Sequence, residues 1–97
     1  MNNKDKQLIA DYMELIFNLA RMSLYEYKDG REFKFNSTDA SFCVQEMQKR
    51  GEWWNFLKYA NTASAIGGMF PEQFIALLFN ADNFFTAMAQ WIREGKK

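Results

Sequence analysis

The side chains that could carry out chemistry are few, and their spacing is not that of a catalytic site. The 97-residue sequence has no histidine, and so it lacks the most common general base and the most common metal ligand. Its single cysteine, Cys43, falls on an apolar helical stripe, whereas a reactive thiol needs an open, electropositive setting. Asp11 and Glu14 could form an acid–base pair, but their spacing is typical of the solvated strip of a helix. We therefore expect no enzymatic activity, no metal and no cofactor.

The formal net charge of the chain bears on whether it binds a nucleic acid. Twelve Lys and Arg residues balance twelve Asp and Glu residues, whereas nucleic-acid-binding proteins neutralise phosphates with an excess of basic side chains. The aromatic residues within 53–59 could stack on bases, but without a basic surface they are better explained as core residues. We therefore expect no nucleic-acid partner.

Length and composition predict one folded domain over residues 1–97. Aromatic residues make up 18% of the chain, and such a content is typical of a packed core rather than of disorder. The apolar stretch that follows the N-terminus contains Asp11, Glu14 and Arg21, and so it is predicted to be neither a signal peptide nor a membrane span. A single cysteine excludes an internal disulfide. We expect a cytoplasmic protein that does not contact a membrane.

Residues 4 to about 23 are predicted to form a helix with an unusually wide apolar face. One apolar row at helical spacing consists of Leu8, Tyr12, Leu15, Ile16 and Leu19. Ile9, Met13 and Phe17 form a second row, so that the apolar arc covers about 220°, although a helix packed on one side needs only about 100°. The excess predicts a contact outside the monomer, most simply in a symmetric dimer. The alternative is that the next element folds back and covers the second row.

Residues 24–35 are predicted to form a hairpin, because Asp29 and Gly30 are a turn signal. A loop at 29–31 would place Tyr27 opposite Phe33 and would pair opposite charges on the other face. Gly30, however, is better placed as the last loop residue, where a left-handed backbone is needed. The two arguments disagree, so the register stays open.

A second helix is predicted between the cap residues at 37–39 and Gly51, which occupies the usual position for a C-terminal glycine. Its apolar residues, spaced for one buried stripe, are Ala40, Cys43, Val44 and Met47. Phe42 lies on the opposite side of this helix.

The next part of the chain is ambiguous between strand and helix. Residues 52–59 are rich in aromatic residues and are predicted to form a strand, with helix as the alternative for 59–66. A loop is predicted through 67–71, and the apolar run at 74–79 is predicted to be a second strand.

The last predicted helix follows the cap residues Asn80 and Asp82 and ends at Gly95. Its apolar face consists of Phe84, Phe85, Met88, Trp91 and Ile92. The predicted order is therefore helix, hairpin, helix, strand, strand, helix. This order indicates an α+β fold with three helices and a small, mostly antiparallel sheet, with a mostly α fold as the alternative.

The pattern of caps and helices resembles a known family. The cap residues at 37–39, the helix end and aromatic segment at 44–53, and the Asn-Ala start of an Ala-rich helix at 80–81 are similar to the small phage and prophage proteins of the "phage ABA sandwich" type. Residues 6–13 also resemble the first helix of such proteins. The resemblance implies an accessory protein of a phage or mobile element in the bacterial cytoplasm, and it implies no catalytic residues.

We therefore expect a non-enzymatic interaction module that binds itself, another protein or both. The candidate interface residues are Ile9, Met13, Phe17, Phe42 and Trp54. The alternative function is a homodimeric protein that binds or sequesters a small, nucleotide-type ligand, whose phosphate would meet Arg21, Arg31 or Lys58.

Overall fold

The computed structural model describes residues 2–21, 24–62 and 80–96. In chain order the elements are α1 (Asn3–Met13), β1 (Ile16–Asn18), a 3₁₀ turn (Leu19–Arg21), β2 (Leu24–Glu26), α2 (Ser37–Lys49), α3 (Trp53–Thr62) and α4 (Ala81–Arg93). Strands β1 and β2 pair in an antiparallel sheet. The α+β class is confirmed, although these ranges contain four α-helices rather than three. None of the described helices is long and apolar enough to cross a bilayer.

Helix α1 ends at Met13, well before the predicted end near residue 23. Glu14 adopts a left-handed backbone with φ of 56°, and the N–H of Leu15 donates to the carbonyl of Ala10 over 2.8 Å. This pattern is a Schellman-type helix ending, which reverses the chain. As a result, Ile16 and Leu19, which were predicted to extend the helical row, lie instead on a short strand and on the turn that follows it.

The helix ending at Glu14 leads to a prediction about stability. A left-handed backbone costs a residue with a Cβ about 1 kcal/mol, and glycine avoids this cost. Glu14→Gly is therefore expected to raise the free energy of unfolding in urea by about 0.5–1 kcal/mol. The ion pair that it removes joins Glu14 to Lys28 over 3.8 Å between mostly exposed side chains, so its loss matters little.

Glu14→Ala is the matched control, because it removes the same carboxylate but leaves a Cβ on the left-handed backbone. We expect no gain from it. An equal gain from both variants would show that the charge, and not the backbone, limits stability at this position.

The hairpin register follows the turn chemistry and not the charge pairs. Gly30 has φ of 91° and is the last residue of the loop, as the turn argument required. The N–H of Tyr27 donates to the carbonyl of Arg31 over 2.8 Å, and Glu26 lies opposite Glu32. The predicted direct opposition of Tyr27 and Phe33 is therefore wrong. Their rings still meet diagonally, with centroids 5.3 Å apart.

The second strand of the expected hairpin is reduced to an isolated bridge at Glu32. Strand β2 pairs more extensively on its other side, where Phe17 of β1 lies opposite Tyr25. The early end of α1 makes this pairing available, because the returning chain runs antiparallel beside β2.

Helix α2 begins at Ser37, so that its N-cap lies one residue before the predicted cap residues. Asn36 is the N-cap, and it forms a capping box in which its side chain and that of Asp39 each accept from the other's backbone N–H. The predicted stop at Gly51 is confirmed by its φ of 73°. The predicted stripe is also confirmed, with three of its residues buried and Val44 partly buried.

The strand predicted for residues 52–59 is wrong, because Trp53–Thr62 is helical. Phe56 and Ala60 are spaced one helical turn apart and are both fully buried. Burial of this face outweighs the strand preference of the aromatic residues, which reflects the surface that they pack against more than the backbone. The loop predicted for 67–71 and the strand predicted for 74–79 lie outside the described residues.

Helix α4 lies at the centre of the core, where it packs against α1, α2 and α3. Asn80 is its N-cap, and Gly95 follows its end with φ of 82°, as predicted. The predicted apolar face is buried at Phe84, Phe85, Met88 and Trp91, and Ile92 is partly buried. Helix α4 is thus the element around which the hairpin and the other helices pack.

Candidate functional site

The thiol of Cys43 is not available for chemistry. Its side chain is fully buried between α2 and the rest of the core. Burial, followed by the neighbouring charges of Asp39 and Glu46, raises the pKa of the thiol far above its ordinary value. Because the thiolate is the reactive form, Cys43 is a core residue and not a nucleophile.

Two tyrosines, the buried Tyr12 and the partly buried Tyr27, hydrogen-bond to carboxylates from distant elements. The hydroxyl of Tyr12 donates to Glu52 over 2.8 Å, and that of Tyr27 donates to Asp39 over 2.7 Å. Burial first, and then the accepting carboxylate, raise the pKa of each phenol. Both hydroxyls therefore stay protonated and join helices to loops, as structural rather than catalytic groups.

These phenols predict a loss of stability in alkali. A phenol with a folded-state pKa above the ordinary value of about 10 stabilises the fold fully at lower pH, and this contribution is lost as the pH rises. The same holds for Tyr59, because burial and a hydrogen bond to Glu94 raise the pKa of its phenol to about 12. We expect the free energy of unfolding in urea to fall between about pH 10 and pH 12. Tyr27→Phe removes one of these phenols and should flatten the decline, whereas an unchanged slope would contradict this assignment.

Two glutamates face each other in the hairpin. Glu26 is buried and lies opposite Glu32, and the side-chain amide of Asn18 donates to Glu26 over 2.9 Å. Within the described ranges, no group of three or more His, Cys, Asp or Glu side chains could hold a metal ion.

The strongest surface feature of the described residues is an apolar patch on strand β1 and the 3₁₀ turn that follows it. We define the edge patch as Ile16, Phe17 and Leu19, whose exposed fractions are 50%, 46% and 73%. Among the residues that the structure describes, strand β1 pairs with β2 alone, and so it is one edge of a two-stranded sheet. Natural edge strands usually carry charges or proline, which discourage pairing with other chains. Residues 15–20 contain neither, although a quarter of the whole chain is charged.

A groove adjoins the edge patch on the side that faces α1. Its volume is about 710 Å³, and Phe17, Tyr25 and Phe35 line it together with Lys6 and Gln7. The rings of Phe17 and Tyr25 are 4.9 Å apart, and the Lys6 ammonium lies 5.6 Å from the centre of the Phe35 ring. We call this space the edge groove. It joins the exposed strand to a largely aromatic surface.

The five predicted interface residues do not form one surface. Ile9 is fully buried in the chain's own core, and so it is not available to a partner. Met13 is partly buried, and it lines a second cleft of about 480 Å³ together with the half-buried Phe42. Trp54 is 70% exposed on α3. Of the five, Phe17 lies in the edge patch.

Sequence reasoning missed Ile16 and Leu19 as surface residues. Both fitted the helical row of the first predicted helix, and nothing in that row shows that the helix ends at Glu14. The uncharged run at 15–20 was the signal available, because a solvent-exposed segment without any charge is typical of a contact surface.

Of the three cations proposed for phosphate binding, the side chain of Arg21 lies outside the described part of the structure, and Arg31 and Lys58 do not line the same cleft. The Nε of Arg31 donates to Asp29 over 2.7 Å, and its guanidinium lies 5.0 Å from the ring of Tyr27. Arg31 lines the second cleft beside Lys28 and Lys49, whereas Lys58 belongs to α3 and is not among the residues that line this cleft.

No protein-family model matches the chain, and neither the curated proteins nor the solved structures contain a match to it.

Proposed function

We propose that the chain is a non-enzymatic interaction module that binds another polypeptide through the edge patch on β1. The observation that carries the proposal is the exposure of three large apolar side chains on an uncharged edge strand and the turn that follows it. An edge strand offers unpaired backbone groups that an extended segment can bind, while its side chains provide specificity. The burial of Cys43 and the lack of histidine agree with a role in binding rather than catalysis.

The resemblance to phage ABA sandwich proteins supports a narrower proposal. On this basis the chain is an accessory protein of a phage or mobile element, and it binds a host or defence protein in the bacterial cytoplasm. The caps near residues 36–39 and 80 and the glycine at 51 support the likeness. The helical state of Trp53–Thr62 does not, because the resemblance implies an aromatic strand there.

The test compares binding by edge-patch variants with binding by a matched surface variant. Leu19→Lys adds a charge to the edge patch, whereas Trp54→Lys makes a similar change at an equally exposed position on α3. Each immobilised protein is incubated with bacterial lysate and with the wild-type chain, and the retained proteins are quantified. We expect a partner that the wild type and Trp54→Lys retain and that Leu19→Lys loses by at least about tenfold, which corresponds to about 1.4 kcal/mol. Retention that is the same for all three proteins would overturn the proposal.

A small anionic ligand is the second candidate, and the second cleft favours it. The cations that line this cleft, Lys28, Arg31 and Lys49, outnumber its carboxylates, Glu14 and Glu46. They lie beside the rings of Tyr27 and Phe42, and cations next to aromatic rings suit a nucleotide-type ligand. Thermal-shift measurements with nucleoside mono-, di- and triphosphates test this. A ligand that binds the folded state raises the melting temperature, and Arg31→Ala should abolish the increase.

A further inference from the structure

We infer that the polypeptide bound at β1 is β1 of a second copy of this chain, paired antiparallel about a two-fold axis at Phe17. This inference rests on the proposed function, because it names the partner of the same edge patch.

The hydrogen-bonding pattern of the sheet directs the backbone of Phe17 toward the partner. The N–H of Phe33 donates to the carbonyl of Tyr25. The backbone groups of Tyr25 therefore point toward Phe33, on the side of β2 that is opposite β1. Phe17 is paired with Tyr25 across β1 and β2. Because backbone groups in an antiparallel sheet point alternately to the two sides, those of Phe17 point away from β2. The outer edge of β1 is thus centred on Phe17.

A two-fold axis at Phe17 pairs apolar residues with each other, except that Ile16 faces Asn18 of the second copy. Phe17 then faces Phe17 of the second copy, and Leu15 faces Leu19. The ring of Phe17 already packs against that of Tyr25, so the pairing continues one aromatic row across both copies. It also places Phe17 of the second copy at the open side of the edge groove. Facing aromatic and apolar pairs of this kind stabilise antiparallel strands.

The charge pattern favours a second copy over an unrelated charged strand. Two identical strands place equal charges close together, which destabilises the pair unless the strands are uncharged. Residues 15–20 carry no charge, and the formal net charge of the whole chain is zero. The association of two copies is therefore opposed neither by charges on the paired strands nor by the net charges of the two chains.

The size of the strand sets the expected affinity. Stable complexes bury about 800 Å² on each partner, and a three-residue strand with the adjoining groove falls at the low end of this range. We therefore expect a dissociation constant on the order of 10–100 µM.

Sedimentation equilibrium over about 5–500 µM should show a monomer–dimer equilibrium. Leu19→Lys should weaken it at least about tenfold, and Trp54→Lys should leave it unchanged.

Cysteine cross-linking tests the register. Paired residues that exchange backbone hydrogen bonds have Cα atoms about 5.5 Å apart, within disulfide range, whereas diagonal neighbours at about 7–8 Å are too distant. Phe17→Cys should therefore form a disulfide-linked dimer, and Ile16→Cys alone should not. The native Cys43 is fully buried and does not compete.

A mixture of Ile16→Cys and Asn18→Cys chains keeps the Phe17 ring and should form a mixed disulfide.

A chain that stays monomeric over the whole concentration range would overturn this inference. Cross-linking of Ile16→Cys alone to the same extent as Phe17→Cys would also overturn it. If the monomeric chain still captures a lysate protein through the edge patch, the self-partner is wrong and the proposed function stands. If capture is also lost, both are wrong.

Discussion

Phe85→Ala is expected to lower the free energy of unfolding by about 3–5 kcal/mol, a large part of the stability of a domain this small. Phe85 is fully buried, and its ring lies 5.8 Å from that of Phe33, 5.3 Å from Phe35 and 5.3 Å from Phe84. The substitution removes a ring that joins the hairpin to α4 and leaves a cavity between them. Urea unfolding, followed by far-ultraviolet circular dichroism, measures the loss.

Phe42→Ala is the matched control for this prediction. Phe42 is also aromatic and also contacts the hairpin, with its ring 5.7 Å from that of Tyr27, but it is only half-buried. We expect a loss of about 1–2 kcal/mol, because exposed rings leave smaller cavities. Comparable losses from Phe42→Ala and Phe85→Ala would contradict the position of Phe85 at the centre of the core.

Asp39→Ala is expected to lower the free energy of unfolding by about 2–4 kcal/mol. The buried carboxylate of Asp39 accepts the hydroxyl of Tyr27 and the backbone N–H of Lys34, each over 2.7 Å, and it completes the capping box with Asn36. Alanine would leave these two donors without their acceptor, and it would also remove the half of the capping box in which Asp39 accepts the backbone N–H of Asn36. The same urea unfolding measurement applies.

Asp82→Ala provides the comparison, because Asp82 is also an acidic residue in the first turn of a helix but is exposed. We expect a loss of less than about 1 kcal/mol, from its favourable interaction with the helix dipole alone. Both residues were predicted from the sequence to be caps. An equal loss at both positions would mean that the hydrogen bonds of Asp39 to the hairpin contribute nothing beyond capping.

The sequence predicted the helix ends that use glycine and missed the one that does not. After α1, α2 and α4 the chain turns in the same way, with a left-handed residue at Glu14, Gly51 and Gly95 respectively. Glycine at such a position is a recognisable stop signal, whereas glutamate is not. The apolar row continues past Glu14 at helical spacing, so periodicity alone extends the first helix into residues that form β1.

The state of Trp53–Thr62 depends on packing that is not visible in a single sequence. Aromatic residues fit a strand or a buried helix equally well, and a short apolar segment does not separate the two by its periodicity. The fully buried Phe56 packs against Phe84 and Trp91 of α4. These contacts come from an element more than twenty residues away, and they select the helix.

The predicted interface residues differ in their exposure. The surplus of apolar residues near the N-terminus included Phe17, which is 46% exposed. It wrongly included Ile9, because the width of an apolar arc does not tell which side faces the core. It missed Ile16 and Leu19, because their exposure follows from the chain reversal at Glu14.

The isolated bridge between Glu26 and Glu32 bears on how far such an assembly can grow. Two copies joined at β1 would form one continuous sheet, and its new outer margins would be the segments that carry Arg31, Glu32 and Lys34. Charged side chains at the margins of a sheet discourage the addition of further strands. The uncharged run at 15–20, which in isolation has the character of a fibre-forming segment, would be enclosed in the middle. The assembly would then be closed at two chains and would not polymerise.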